Sequence, residues 1–84
     1  MTHQPLTDEQ LRSALVATGV NPAISDAELA RTFEELGLDS LARLEIATRV
    51  QDLVGLDMED QIGPDTSPRA LQRGIARRLA ETAA

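Results

Sequence analysis

The 84-residue chain has no cysteine, tryptophan or tyrosine, and Phe33 is its one aromatic side chain. Its single histidine, His3, lies near the N-terminus. Each absence removes a class of function. Without cysteine there is no disulfide framework, thiolate zinc site, iron–sulfur cluster or cysteine nucleophile. One terminal histidine rules out a multi-histidine metal site, and a Ser-His pair would need the N-terminal tail to fold back. No metal site is expected. Lysine is also absent, so all eight basic residues are arginine.

Fourteen acidic residues against eight basic ones leave a formal net charge of −6. Such a surface repels a phosphate backbone, so nucleic acid is not an expected partner. Anionic membrane surfaces are disfavoured likewise, and no apolar run approaches the roughly 20 residues of a spanning helix. The stretch Met1 to Gln10 shows neither a basic n-region nor an apolar h-region, which predicts a cytoplasmic location. The length suits one small domain over 1–84, with tails at 1–6 and 82–84, and a monomer is expected.

What is present is helical. Thr7 and Gln10 form a capping box, Leu6 and Leu11 a hydrophobic staple, and Asp8 and Glu9 suit the first turn. Leu11, Ala14, Leu15 and Thr18 then predict a helix over 8–18, closed by Gly19. The long connection 20–39 holds a second capping box, Ser25-Asp26-Ala27-Glu28, predicting a short helix over 26–31 or 32–36. Its apolar Ile24, Leu29, Phe33, Leu36 and Leu38 predict an ordered segment lying against a core.

Asp39 is a good N-cap for the strongest helix. Leu41, Leu44, Ala47, Val50, Leu53 and Val54, widened by Ile46, predict its apolar stripe, which ends before Gly55. Arg43, Glu45, Arg49 and Asp52 are expected to face water or a partner. A connection over 56–67 carries Leu56, Met58 and Ile62, with a helical turn expected around 59–62. Ser67-Pro68 opens a last helix over 68–81, with Leu71, Ile75 and Leu79 on one face. No stretch alternates like a strand. The expected fold is all-α, a small irregular four-helix bundle of three main helices and one short one.

Phe33-Glu34-Glu35-Leu36-Gly37-Leu38-Asp39-Ser40-Leu41 is the most specific stretch. With F-x-x-L-G-x-D-S-L opening a helix of an acidic 84-residue bundle, and T-S-P before the closing helix, the chain resembles an acyl carrier protein. Taken alone, Asp39 and Ser40 fit ordinary helix capping. The resemblance implies instead that Ser40 carries a covalent 4′-phosphopantetheine arm derived from coenzyme A. Asp39 would cap the helix and help the modifying transferase hold its metal. A serine in a first turn lies beside unpaired N–H groups and the positive end of the dipole, which favours a phosphodiester there. Gly37 is expected to turn the chain into the helix, with Leu38 and Leu41 pinning Ser40 on a rigid element.

D-S-L also resembles the G-D-S-L hydrolases, but Leu38 separates Gly37 from Asp39 and no histidine follows Ser40. An enzyme is not expected.

The resemblance implies partner docking on an acidic surface around this helix. Glu45, one turn beyond Ser40, is the foremost candidate, with Leu41, Arg43, Glu34, Glu35, Asp57 and Glu59 beside it. Complementary charge of this kind speeds encounter without demanding tight binding. Arg43 and Arg49 interrupt the acidity expected of a fatty-acid carrier. The run D-S-L-A-R-L-E-I-A-T-R is most similar to the freestanding carriers of type II aromatic polyketide synthases, a setting of antibiotic biosynthesis. That likeness implies as partners a phosphopantetheinyl transferase, ketosynthase/chain-length factor, malonyl transferase, ketoreductase and cyclases. A peptidyl carrier of a nonribosomal peptide pathway and an unmodified acidic interaction module remain as alternatives. Met58 and Ile62 are candidates to line a groove for the arm or its cargo, or simply to pack the core.

Overall fold

The computed structural model describes residues 5–58 and 62–82. Its helices are α1 (Asp8–Ala17), α2 (Asp26–Leu29), α3 (Ser40–Val54) and α4 (Pro68–Thr82), and no strand occurs among the described residues. The all-α expectation holds, with three long helices and one of a single turn. The turn expected around 59–62 falls on Glu59, Asp60 and Gln61, outside the described residues.

Local chemistry sets the helix starts. Thr7 and Gln10 cap α1 reciprocally, through Gln10 N–H to Thr7 Oγ1 and Thr7 N–H to Gln10 Oε1, both 3.1 Å. Ser25 and Glu28 do the same for α2. Asp39 caps α3, its Oδ1 accepting from the Ala42 N–H at 2.9 Å. Ser67 Oγ accepts from the Ala70 N–H at 3.0 Å ahead of α4. Gly55 ends α3 at φ 76, a left-handed conformation that costs a side-chain-bearing residue energy.

The core draws on every segment. Leu11 and Leu15 of α1, Leu29 of α2, Ile46, Val50 and Val54 of α3, and Leu71 and Ile75 of α4 are buried together. Both connections add to it, the first through Ile24, Phe33 and Leu38, the second through Leu56, Met58 and Ile62. Leu6 is buried as well, in the same cluster as Leu11. Phe33 N–H donates to Thr66 O at 2.7 Å and Glu34 N–H to Pro64 O at 3.1 Å, so the two connections are stitched to each other. This backbone pairing explains why the long connection 20–39 is ordered despite holding only one turn of regular helix. Its peptide groups have partners that a free loop would lack.

The α3 stripe corrects the sequence expectation. Ile46, Ala47, Val50 and Val54 are its buried residues, whereas Leu41, Leu44 and Leu53 are exposed. Apolar residues surround so much of this helix that its periodicity fits more than one inward face. The helix is rotated to bury Ile46, and three leucines are left facing solvent.

Candidate functional site

Ser40 is the first residue of α3 and is exposed. The segment leading to it is rigidly built. Leu38, 7% exposed, sits in the core while its N–H donates to Phe33 O at 2.9 Å. Gly37 turns the chain at φ 77, where a β-carbon would strain the backbone even though the space around it is open. Leu38 thus anchors Ser40 from below. Leu41 does not share that task, because it is 73% exposed. The expectation that both leucines pin the serine is therefore half right. A side chain at the second position of a helix starting at Ser40 points away from the core that Leu38 enters.

Asp39 uses its carboxylate on the Ala42 N–H. Among the described residues, nothing accepts from the N–H groups of Ser40 or Leu41, which lie at the start of the helix beside the serine hydroxyl. Ser40 shares a shallow recess of about 190 Å³ with Arg43, Leu44, Ala47 and Ile62. Ile62 reaches it from the second connection, 22 positions along the chain. Met58 is fully buried and does not line it. A second, broader depression of about 600 Å³ runs along α3 between Leu41, Leu44, Glu45, Thr48, Arg49 and Asp52.

The other candidate positions have distinct surroundings. Glu45 is exposed and pairs with Arg49 one turn on, at 3.3 Å. Arg43 is half-buried and donates from Nη1 to the Leu38 carbonyl at 3.0 Å. Glu34 is exposed, with its backbone N–H held by Pro64. Glu35 caps its own turn, its Oε1 accepting from the Thr32 N–H at 2.9 Å. That bond, and then hydrogen bonding of the carboxylate by the Thr32 hydroxyl, hold the Glu35 carboxyl below its ordinary pKa. Asp57 is exposed, and its carbonyl accepts from Arg78 at 3.0 Å. Glu59 lies outside the described residues.

Leu44 is the residue at this site that sequence reasoning missed. The periodicity assigned it to the core, yet it lies between Ser40 and the outer groove. Its position four residues after Ser40, on the same helical face, was the available signal.

The arrangement offers one exposed hydroxyl on a fixed helix start, unpaired N–H donors beside it and Arg43 lining the same recess. A phosphodiester fits such a place, because both the donors and the dipole favour an anion. No group of three or more His, Asp or Glu side chains positioned to hold a metal occurs among the described residues. No helix among them is long and apolar enough to cross a membrane.

The family model described as "Phosphopantetheine attachment site" matches residues 15–73. The chain belongs to this family, as an acyl carrier protein. The granaticin polyketide synthase acyl carrier protein of Streptomyces violaceoruber is 42% identical over 72 residues, covering 79% of this chain and 82% of that protein. Polyketide synthase 2 of Metarhizium anisopliae is 36% identical over 64 residues, which is 74% of this chain but 3% of that much longer protein. No solved structure matches at comparable significance. As an acyl carrier protein the chain bears a covalent 4′-phosphopantetheine and is not an enzyme. Membership in a family defined by that attachment sets aside the unmodified interaction module.

Proposed function

We propose that Ser40 is the attachment residue and that the protein carries a growing polyketide. The observation that carries the first part is the position of Ser40: exposed, first in α3, and anchored through buried Leu38. In the loading step the Ser40 oxygen attacks the pantetheine-side phosphorus of coenzyme A. The O–P bond forms, the pyrophosphate P–O bond breaks, 3′,5′-ADP departs and the hydroxyl proton is released. Once bound, the arm supplies the terminal thiol that holds an acyl chain as a thioester. The chain's own residues fix where that arm begins. Leu38 and the Asp39 cap hold the helix start still, and the helix N-terminus favours the added negative charge.

Similarity to the granaticin carrier supports the polyketide setting. The same reading places the protein in the cytoplasm as a monomer. Its partners would be a phosphopantetheinyl transferase, ketosynthase/chain-length factor, malonyl transferase, ketoreductase and cyclases. Exposed Leu41 and Glu45 beside the serine support α3 as the docking face, with Arg43, Glu34 and Asp57 around it. Glu35 contributes less, since its carboxylate caps its own turn.

Incubation with coenzyme A and a broad-specificity transferase, followed by intact mass and peptide mapping, tests the attachment. One phosphopantetheine should add to the wild-type chain and none to Ser40→Ala. Addition at Ser13, Ser25 or Ser67, or no addition at all, would falsify the assignment.

A further inference from the structure

Arg43 is placed where a cation is electrostatically disfavoured. It stands three residues after Ser40, so the two side chains share one helical face, and both line the recess of about 190 Å³. Its guanidinium turns back along the helix, Nη1 donating to the carbonyl of Leu38 at 3.0 Å. That carbonyl belongs to the residue just ahead of the Asp39 cap, so the positive charge lies against the positive end of the α3 dipole. A carboxylate partner would offset this, but the ion pairs among the described residues use Arg12, Arg49 and Arg69. Of the two acids nearest in sequence, Glu45 pairs with Arg49 and Asp39 engages the Ala42 N–H.

Among the described residues, a single bond to a neutral carbonyl is what meets this half-buried guanidinium, and it supplies no opposite charge. An anion on the Ser40 oxygen does, because it changes the sign of the local field. Arginine carries five N–H donors in a planar fork suited to phosphate oxygens, and the Leu38 contact occupies one of them.

We infer that Arg43 is a positioning residue that receives the charge of the phosphodiester on Ser40, tying the base of the arm to both the helix and the Leu38 carbonyl. The inference rests on the Ser40 assignment above.

Phosphorus NMR on loaded protein tests it. Wild type, Arg43→Gln, Arg43→Lys and, as a control cation of the same helix, Arg49→Gln are each loaded from coenzyme A and mapped to Ser40. The wild-type phosphodiester resonance should be displaced from its position in the urea-unfolded sample. Arg43→Gln should remove most of that displacement, Arg43→Lys should keep part of it, and Arg49→Gln should leave it unchanged. Loading should also raise the thermal midpoint of wild type more than that of Arg43→Gln. An equal displacement in wild type and Arg43→Gln, with Ser40 loaded in both, overturns the Arg43 role alone. Absence of loading at Ser40 overturns it together with the assignment. Where circular dichroism shows Arg43→Gln unfolded, molar salt replaces it: the wild-type displacement must shrink, and a salt-independent one overturns the role.

Discussion

The end of the molecule where α1, α2 and α4 meet and the outer face of α3 are both built largely from charged and apolar residues, yet they use them in opposite ways. At the first, charges are paired across long stretches of chain. Arg69 contacts Asp8 at 2.9 Å and Asp26 at 3.3 Å, and Asp26 also receives Arg12 at 2.9 Å. Gln72 donates to both Asp8 Oδ1 and the Leu6 carbonyl, and Arg12 to the Ile24 carbonyl. Among the described residues the ion pair on α3 is local, Glu45 with Arg49, while Leu41, Leu44 and Leu53 stand in solvent. Polar groups hold the fold together at one end. At the other, apolar side chains are withheld from the core, which costs stability and leaves a surface ready for something outside the chain.

That contrast can be broken by mutation. The largest effect belongs beneath the site rather than on it. Phe33→Ala should destabilise the protein by about 3–5 kcal/mol in urea unfolding, since the ring is fully buried and its segment stitches the two connections. A loss under 1 kcal/mol would mean that the 20–39 connection is not part of the cooperative unit. Asp39→Ala comes next, at about 1 kcal/mol for a lost N-cap, and the same unfolding curves measure it. Loading of Ser40 should slow as well, because the helix start that presents the hydroxyl frays.

Acid probes the paired end directly. The Gln72 amide, and then the Arg69 guanidinium, hold the Asp8 carboxyl below its ordinary 3.8. A group whose pKa is lower folded than unfolded stabilises fully above the unfolded value and ceases to do so as pH falls through the folded one. Thermal midpoints should therefore drop as pH is taken from 5 to below 3.8. Gln72→Ala should flatten that drop. Equal slopes in wild type and Gln72→Ala would refute the account of Asp8.

The smallest stability effect is expected where the functional one is sought. Leu41→Ala should change stability by no more than about 0.5 kcal/mol, because its side chain is already in water. Loading rates with the transferase should nonetheless fall, read from the same mass assay. A large destabilisation would return Leu41 to the core.

The parts readable beforehand were those decided within four residues. The Thr7–Gln10 and Ser25–Glu28 boxes, the Asp39 and Ser67 caps and the Gly55 stop are bonds between near neighbours, so residue types at fixed spacing suffice to place them. F-x-x-L-G-x-D-S-L is readable for the same reason. It is one continuous turn and helix start, and the family match over 15–73 agrees with it.

The rotation of α3 was not readable. Leu41, Leu44 and Leu53 compete with Ile46, Val50 and Val54 for the same core, and helical periodicity accepts either set. The sequence offered both Met58 and Ile62 for a groove beside the serine, and packing chose Ile62 while burying Met58. Nor does local pattern reveal that Phe33 bonds Thr66 or that Arg69 gathers Asp8 and Asp26. Those partners lie tens of residues apart and meet only when the helices pack. The helix starts, the serine at the opening of α3 and the carrier chemistry therefore followed from the amino-acid sequence by itself, because each is a short-range matter of capping and motif. The tertiary structure decided which leucines face outward and which residue of the second connection closes the recess at the serine, because only packing against the rest of the core can choose between apolar faces that periodicity does not rank.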